Sequence, residues 1–166
     1  MTNVMIDLET LGQSAGAVIL SIGAVKFGGG IVSSEFYRRI SPQSCVNVGL
    51  KIDPDTVMWW MNQGDAARSE IVKDGINVSL ALMEFSKWVG DSDALVWGNG
   101  ADFDNVLLAS AYKAANLPLP WKYYNSRCYR TIKSLNKDIK IERSGTHHNA
   151  LDDARSQAFH LMRCLS

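Results

Sequence analysis

The stretch VILSIGAVKF-GGG-IVSSEFYRRI, residues 18–40, leaves the chain few choices. Two runs rich in β-branched and aromatic residues flank a glycine triplet, and glycine supplies the positive-φ conformations that a tight reversal needs. The pattern predicts antiparallel strands over 18–27 and 31–40 with a turn at 28–30. Residues 3–9 alternate, with Val4, Ile6 and Leu8 on one face, which adds a strand and completes an antiparallel meander.

Beyond residue 40 the period changes. Pro42 and Pro54 bracket an irregular connection, and Pro54 opens a helix, PDTVMWWMNQG, that Gly64 ends. SLALMEFSKWV (79–89) repeats apolar residues at helical spacing, and ALVWGN (94–99) reads as a short buried strand. DFDNVLLASAYKAAN (102–116) predicts a helix capped by Asp102 and stopped before Pro118. SRCYRTIKSLNK predicts another helix. The last runs from Asn149 to Leu165, with Ala150, Leu151, Ala154, Ala158, Leu161, Met162 and Leu165 in one stripe. Three strands, then helices interleaved with further strand, imply one mixed α/β domain over 1–166, long enough to bury a core.

No apolar run is long enough to span a bilayer, and the N-terminus lacks the basic region of a secretory leader. Cys45, Cys128 and Cys164 are widely separated, which fits reduced thiols and a cytoplasmic location. The 17 basic and 17 acidic residues cancel, so the chain is not built to grip a duplex by bulk charge. Between Lys122 and Arg143, however, seven basic residues face only Asp138 and Glu142, a local +5. That flank suits either a phosphate grip beside a cation site or a solvated helix face.

Three segments carry chemistry. In MIDLET, Asp7 and Glu9 share a strand face with Cα atoms roughly 6.7 Å apart. Side by side they repel unless a cation lies between them, and such oxygen-rich pairs suit magnesium or manganese; a solvated face with two ordinary acids has the same spacing. In WGNGADFDN a strand ends and Asp102 and Asp104 stand at a helix entrance, where capping and the helix dipole also favour acids. In HHNALDDA a five-residue spacing occurs twice, His147 to Asp152 and His148 to Asp153, and spacing alone does not choose.

In this order D-x-E, F-D and H-x4-D resemble the DEDDh branch of the DnaQ-like 3′–5′ exonucleases, on the RNase H-like fold. DLETLG, ILSIGAV, VWGNGADFDN, RCYRT and HNALDDA are similar to the small stand-alone exonucleases common in phages and prophages. The resemblance covers nearly the whole chain. The family's third motif, H-x-A-x-x-D-A, fits only from His148, since that register places Ala150 and Ala154, so the pair becomes His148 and Asp153. Asp152 then reaches outward to Arg155 and Ser156. His147 is left as a loop residue, and Asp104 rather than Asp102 is the second-motif acid.

The resemblance implies two divalent ions, Mg²⁺ or Mn²⁺, with Asp7 bridging them, Glu9 and Asp153 completing the nucleophile side, and Asp104 holding the second. His148 would take the proton of the attacking water, a task suited to an unperturbed pKa of about 6.5. The partner would be a DNA or RNA 3′ end. Thr10, Leu11 and Gly12 fall where the family seats the terminal nucleotide. Phe103 would stack on a base or anchor its helix, and Arg127 and Arg130 would meet phosphates. Asn99-Gly100 stands where many relatives carry His-Asn, which bears on substrate preference and makes Asn99 a substrate-contact position. Trp59 and Trp60 would stack on bases or serve the core or a homodimer interface.

Two other readings compete. A non-catalytic nucleic-acid clamp on the same fold is disfavoured because all five chemical positions are filled. A phosphate-cradling nucleotide binder, suggested by glycines at 12, 16 and 28–30, lacks any G-x-x-x-x-G-K-[ST], and its triplet leads into a strand. DNA and RNA are not distinguished by these residues.

Overall fold

The glycine-triplet hairpin pairs β2 (Ile19–Gly28) with β3 (Ile31–Arg39), turning through Gly29 and Gly30 at φ 57° and 82°. On the other side of β2 lies β1 (Asn3–Thr10), also antiparallel. The computed structural model describes residues 2–145 and 148–166, the side chain of Glu70 apart. Beyond β1 come β4 (Leu95–Gly98) and β5 (Ser126–Cys128), both parallel to their neighbours, giving the order β3-β2-β1-β4-β5. Parallel neighbours need long crossovers, and the helices supply them.

The described helices are α1 (Pro42–Asn47), α2 (Pro54–Met61), α3 (Asp65–Ile71), α4 (Val78–Val89), α5 (Asp104–Ala114), α6 (Tyr129–Leu135) and α7 (Ala150–Cys164). Five differ from the sequence reading. The connection after Pro42 is not irregular throughout, because Pro42 starts α1 at its first turn and the Ser41 side chain accepts from the Ser44 N–H. A separate α3 follows α2. The SRC of SRCYRT pairs with β4 as β5, so α6 begins only at Tyr129. Asp102 does not cap α5: residues 101–103 form a turn, Phe103 takes the cap position, and Asp104 enters the first helical turn. Leu165 also leaves the α7 stripe, since the helix ends at Cys164 and Leu165 is exposed.

The pleat of β1 divides the core. Val4, Ile6 and Leu8 face the main cluster with Leu82, Phe85, Leu107 and Leu108 of α4 and α5. Burying a side chain of that size stabilises by roughly 1.5–3 kcal/mol. Met5 points the other way, among Val25, Trp97, Tyr129, Ala154, Ala158 and Leu161. Asp7 and Glu9 continue the Met5 face, under α7. Small residues on α7 let it sit low on the sheet. Gly23, paired with Asp7 across the β1–β2 ladder, would place an added Cβ 2.1 Å from the Ala150 backbone. Only glycine fits beneath the start of α7.

Farther along that helix, His160 is buried with both ring nitrogens paired. Its Nδ1 lies 3.0 Å from the Tyr129 hydroxyl and its Nε2 lies 2.7 Å from the Ile139 carbonyl. A carbonyl only accepts, so Nε2 carries the proton and Nδ1 accepts from Tyr129. The pair ties α6, α7 and the 139–141 segment together.

Candidate active site

The acids meet at the carboxyl ends of β1 and β4, the crevice where open α/β sheets bind ligands. Asp7 and Glu9 come from β1, Asp104 from the first turn of α5, and Asp153 from the first turn of α7. Asp104 clamps the two strand ends: its carboxylate accepts the Leu8 N–H at 3.2 Å and the Asn99 N–H at 2.8 Å. Asp7 accepts one amide hydrogen of Gln157 at 2.7 Å. Asp153 accepts the His148 N–H at 3.1 Å and pairs with the Arg143 guanidinium at 2.7 Å.

His148 stands at φ 63°, in the left-handed region that a histidine rarely adopts. Its N–H bond to Asp153 helps hold that turn. The ring lies edge-on to Trp59 and Trp60, with centroids 5.3 Å and 6.0 Å away. Trp60 is itself fixed, its indole N–H donating to the Thr10 carbonyl at 2.8 Å. A pocket of about 260 Å³ opens here, floored by Asp7, Glu9 and Asp153 and walled by His148, Trp59 and Phe103.

The pocket is short of positive charge. Burial first, then Asp104, Glu9 and Asp153, hold the Asp7 carboxyl well above its usual range. Burial, then Asp153 and Asp104, push Glu9 up to about 8. Asp104 is pushed up to about 7 by burial, against the opposing pull of its two backbone N–H partners. Among the described residues only Arg143 forms an ion pair with any of the four acids. Glu9, His148 and Asp153 each present a ligand atom, all within 4.8 Å of one another. Hard oxygen donors in such number fit a divalent cation.

A family model for the 3′-5′ exoribonuclease Rv2179c-like domain matches residues 2–165. The chain belongs to that family. The Rv2179c-like domain is therefore a 3′–5′ exonuclease by class, a hydrolase of phosphodiester bonds. No curated protein matches it by sequence. Among solved structures it is similar to the nuclease domain of 3'hExo, a DEDDh family member bound to rAMP, at 12% identity and TM-score 0.66, covering 99% of this chain and 91% of that one. It is similar to E. coli exonuclease I in complex with a dT13 oligonucleotide at 13% identity and TM-score 0.70, covering 99% of this chain but 40% of that one. Cell-death related nuclease 4 (CRN-4) gives 14% and 0.62, covering 99% and 63%. The mixed sheet is thus the RNase H-like fold of the DEDDh exonucleases.

In this chain, Asp7, Glu9, Thr10, Asn99, Phe103, His148 and Asp153 all border the pocket, with Asp104 buried behind Asn99. Leu11 and Gly12 do not border it: Leu11 packs on the core, and Gly12 turns against Ala17. Arg127 bonds the carbonyls of Tyr124 and Ser126 rather than facing the pocket. Arg130 sits just outside, donating to the Asn99 carbonyl at 2.5 Å. Asp152 turns outward to Arg155 at 2.9 Å; His147 lies outside the described residues. Of the paired tryptophans, Trp60 is buried in the core and Trp59 is exposed, both bordering the pocket, and Met58 and Met61 are also exposed on α2. Sequence reasoning missed Gln13, Thr56, Arg143 and Gln157. Two of these had a signal: Arg143 closes the basic flank that begins at Lys122, and Gln157 stands one turn beyond Asp153 on the stripe of small residues.

Among the described residues no helix is long and apolar enough to cross a membrane.

Proposed function

We propose that this domain removes nucleotides one at a time from the 3′ end of single-stranded DNA or RNA, or of 3′ overhangs, releasing 5′-mononucleotides with two divalent ions, Mg²⁺ or Mn²⁺. The observation that carries this is a small pocket floored by Asp7, Glu9 and Asp153 with buried Asp104 behind it, and, among the described residues, one guanidinium, Arg143, ion-paired to any of the four. Asp7, Glu9, Asp104 and Asp153 would hold the ions. Bound there, divalent ions supply a water acidic enough to attack at neutral pH and positive charge for the phosphate and leaving oxygen.

The chain's own residues do the rest. As the water oxygen bonds to phosphorus and the P–O3′ bond breaks, His148 accepts the water's proton. The two indole rings hold its imidazole in place, so little orientation is lost at that moment. Trp59 and Phe103 flank the space for the terminal base, and Asn99 borders it from the β4 end. The free thiols of Cys45, Cys128 and Cys164 fit work in a reducing cytoplasm.

The test is a 5′-labelled oligonucleotide, DNA and RNA in parallel, incubated with Mg²⁺, Mn²⁺ or EDTA. Progressive shortening from the 3′ end and 5′-mononucleotides in the supernatant are expected with metal, and neither with EDTA or with Asp7→Asn. Strand binding with no turnover under either metal would make the domain a clamp instead.

A further inference from the structure

Asn99 borders the acid pocket on one side and a second, larger groove of about 660 Å³ on the other. Its N–H is held by Asp104 and its carbonyl by Arg130, so it forms a fixed sill between the two. Arg130, Lys133, Lys137 and Lys140 line the groove, all exposed, and no carboxylate lines it. Among the described residues none of these four has a carboxylate partner, and Lys140 reaches only the Lys137 carbonyl. Glu142, an acid of the same basic flank, is taken up by Arg163.

The neighbouring concavities lack this character. The one past Gly12 carries Lys51 and Asp53, one charge of each sign. The one past Arg143 carries Arg143 and Arg163, each already paired with an acid. Of these three concavities, the one along α6 carries a row of cations that form no ion pair among the described residues. From these observations, and resting on the exonuclease reading above, we infer that the groove along α6 and residues 136–141 carries the 5′ continuation of the substrate strand, its phosphates over Lys133, Lys137 and Lys140. The strand's terminal nucleotide occupies the acid pocket, and its backbone crosses the Asn99 sill.

Such a track has a salt signature: each phosphate contact on a single strand contributes about 0.7 to the slope of log affinity against log salt. The experiment measures anisotropy of a labelled strand of about 12 nucleotides in EDTA across a salt series. Lys133→Gln/Lys137→Gln should lower the slope by about 1.4 and weaken binding about 10- to 30-fold near 0.1 M salt. Lys87→Gln/Lys113→Gln, the same charge change on other faces, should move neither. The loss should be equal for DNA and RNA, because a phosphate track does not read the sugar. Steady-state hydrolysis by the groove variant should show a raised KM with little change in kcat. An unchanged slope, an equal effect of the control pair, or a loss confined to one sugar would overturn the track. Wild-type protein that shows the salt signature but never hydrolyses would sink the exonuclease reading and leave the groove standing.

Discussion

Two buried polar clusters lie along α7 and were built to opposite ends. Around His160 every polar atom has a partner: the tyrosine hydroxyl gives to Nδ1 and Nε2–H gives to a carbonyl. Around Asp7 three further carboxylates crowd together with one guanidinium, and the Gln157 Oε1 beside them is buried without a partner among the described residues. Satisfied burial of polar groups fixes one arrangement of the scaffold. Unsatisfied burial persists only where something else completes it. The helix therefore carries a structural end and a chemical end, and the missing charge marks which is which.

Four measurements press on that contrast. The largest effect is expected from Asp7→Asn, which should cost several kcal/mol of barrier, about 10³-fold or more in kcat, while raising the metal-free melting temperature. Lost activity with lowered stability would mean that the acids brace the fold. His148→Ala should lower kcat by about 10²- to 10³-fold with KM for the strand little changed. A mainly KM effect would reassign the ring to substrate seating.

Third is pH. Glu9 and Asp104 bind protons more tightly folded, near 8 and near 7, than their ordinary 4.5 and 3.8. Their contribution is then greatest below about pH 4 and is lost as pH rises through about 8. Without divalent ions the melting temperature should fall by several °C between about pH 6 and about pH 8.5. Added Mg²⁺ should erase most of that fall, and a flat metal-free profile would remove the repulsion from the account. The smallest effect belongs to the other cluster. Tyr129→Phe removes the hydroxyl from Nδ1, leaving only the weak Cys164 thiol beside it, and should cost about 1–2 kcal/mol of stability, read by denaturant unfolding, with kcat unchanged. A change in kcat would join the two clusters that are separated here.

The meander and the long helices were legible because each carries many residues of one period: 2 in β1, 3.6 in α4 and α7. The short pieces were not. β5 is three residues held by pairing to β4, α1 is six residues capped by Ser41, and α3 is seven residues with no side-chain cap, so no periodicity could announce them. Asp102 looked like a cap because local rules favour acids before a helix, yet the tight turn after Gly100 shifted the start by two residues. At the site, the acids were readable because each sits in a motif tied to a strand end or helix start. Arg143 and Gln13 reach the pocket from loops, whose paths only the folded chain sets. Arg127 failed for the converse reason: a cation in the right segment found its acceptors in its own backbone.

Gly23 contributes no functional group, yet it is the seat on which Asp153 and His148 are registered against Asp7. A methyl group there would act as a wedge under Ala150, prising one half of the constellation from the other. In a saturation library this position should tolerate as little as the acids do. An inventory of functional side chains would never nominate it, because what it supplies is the lack of one.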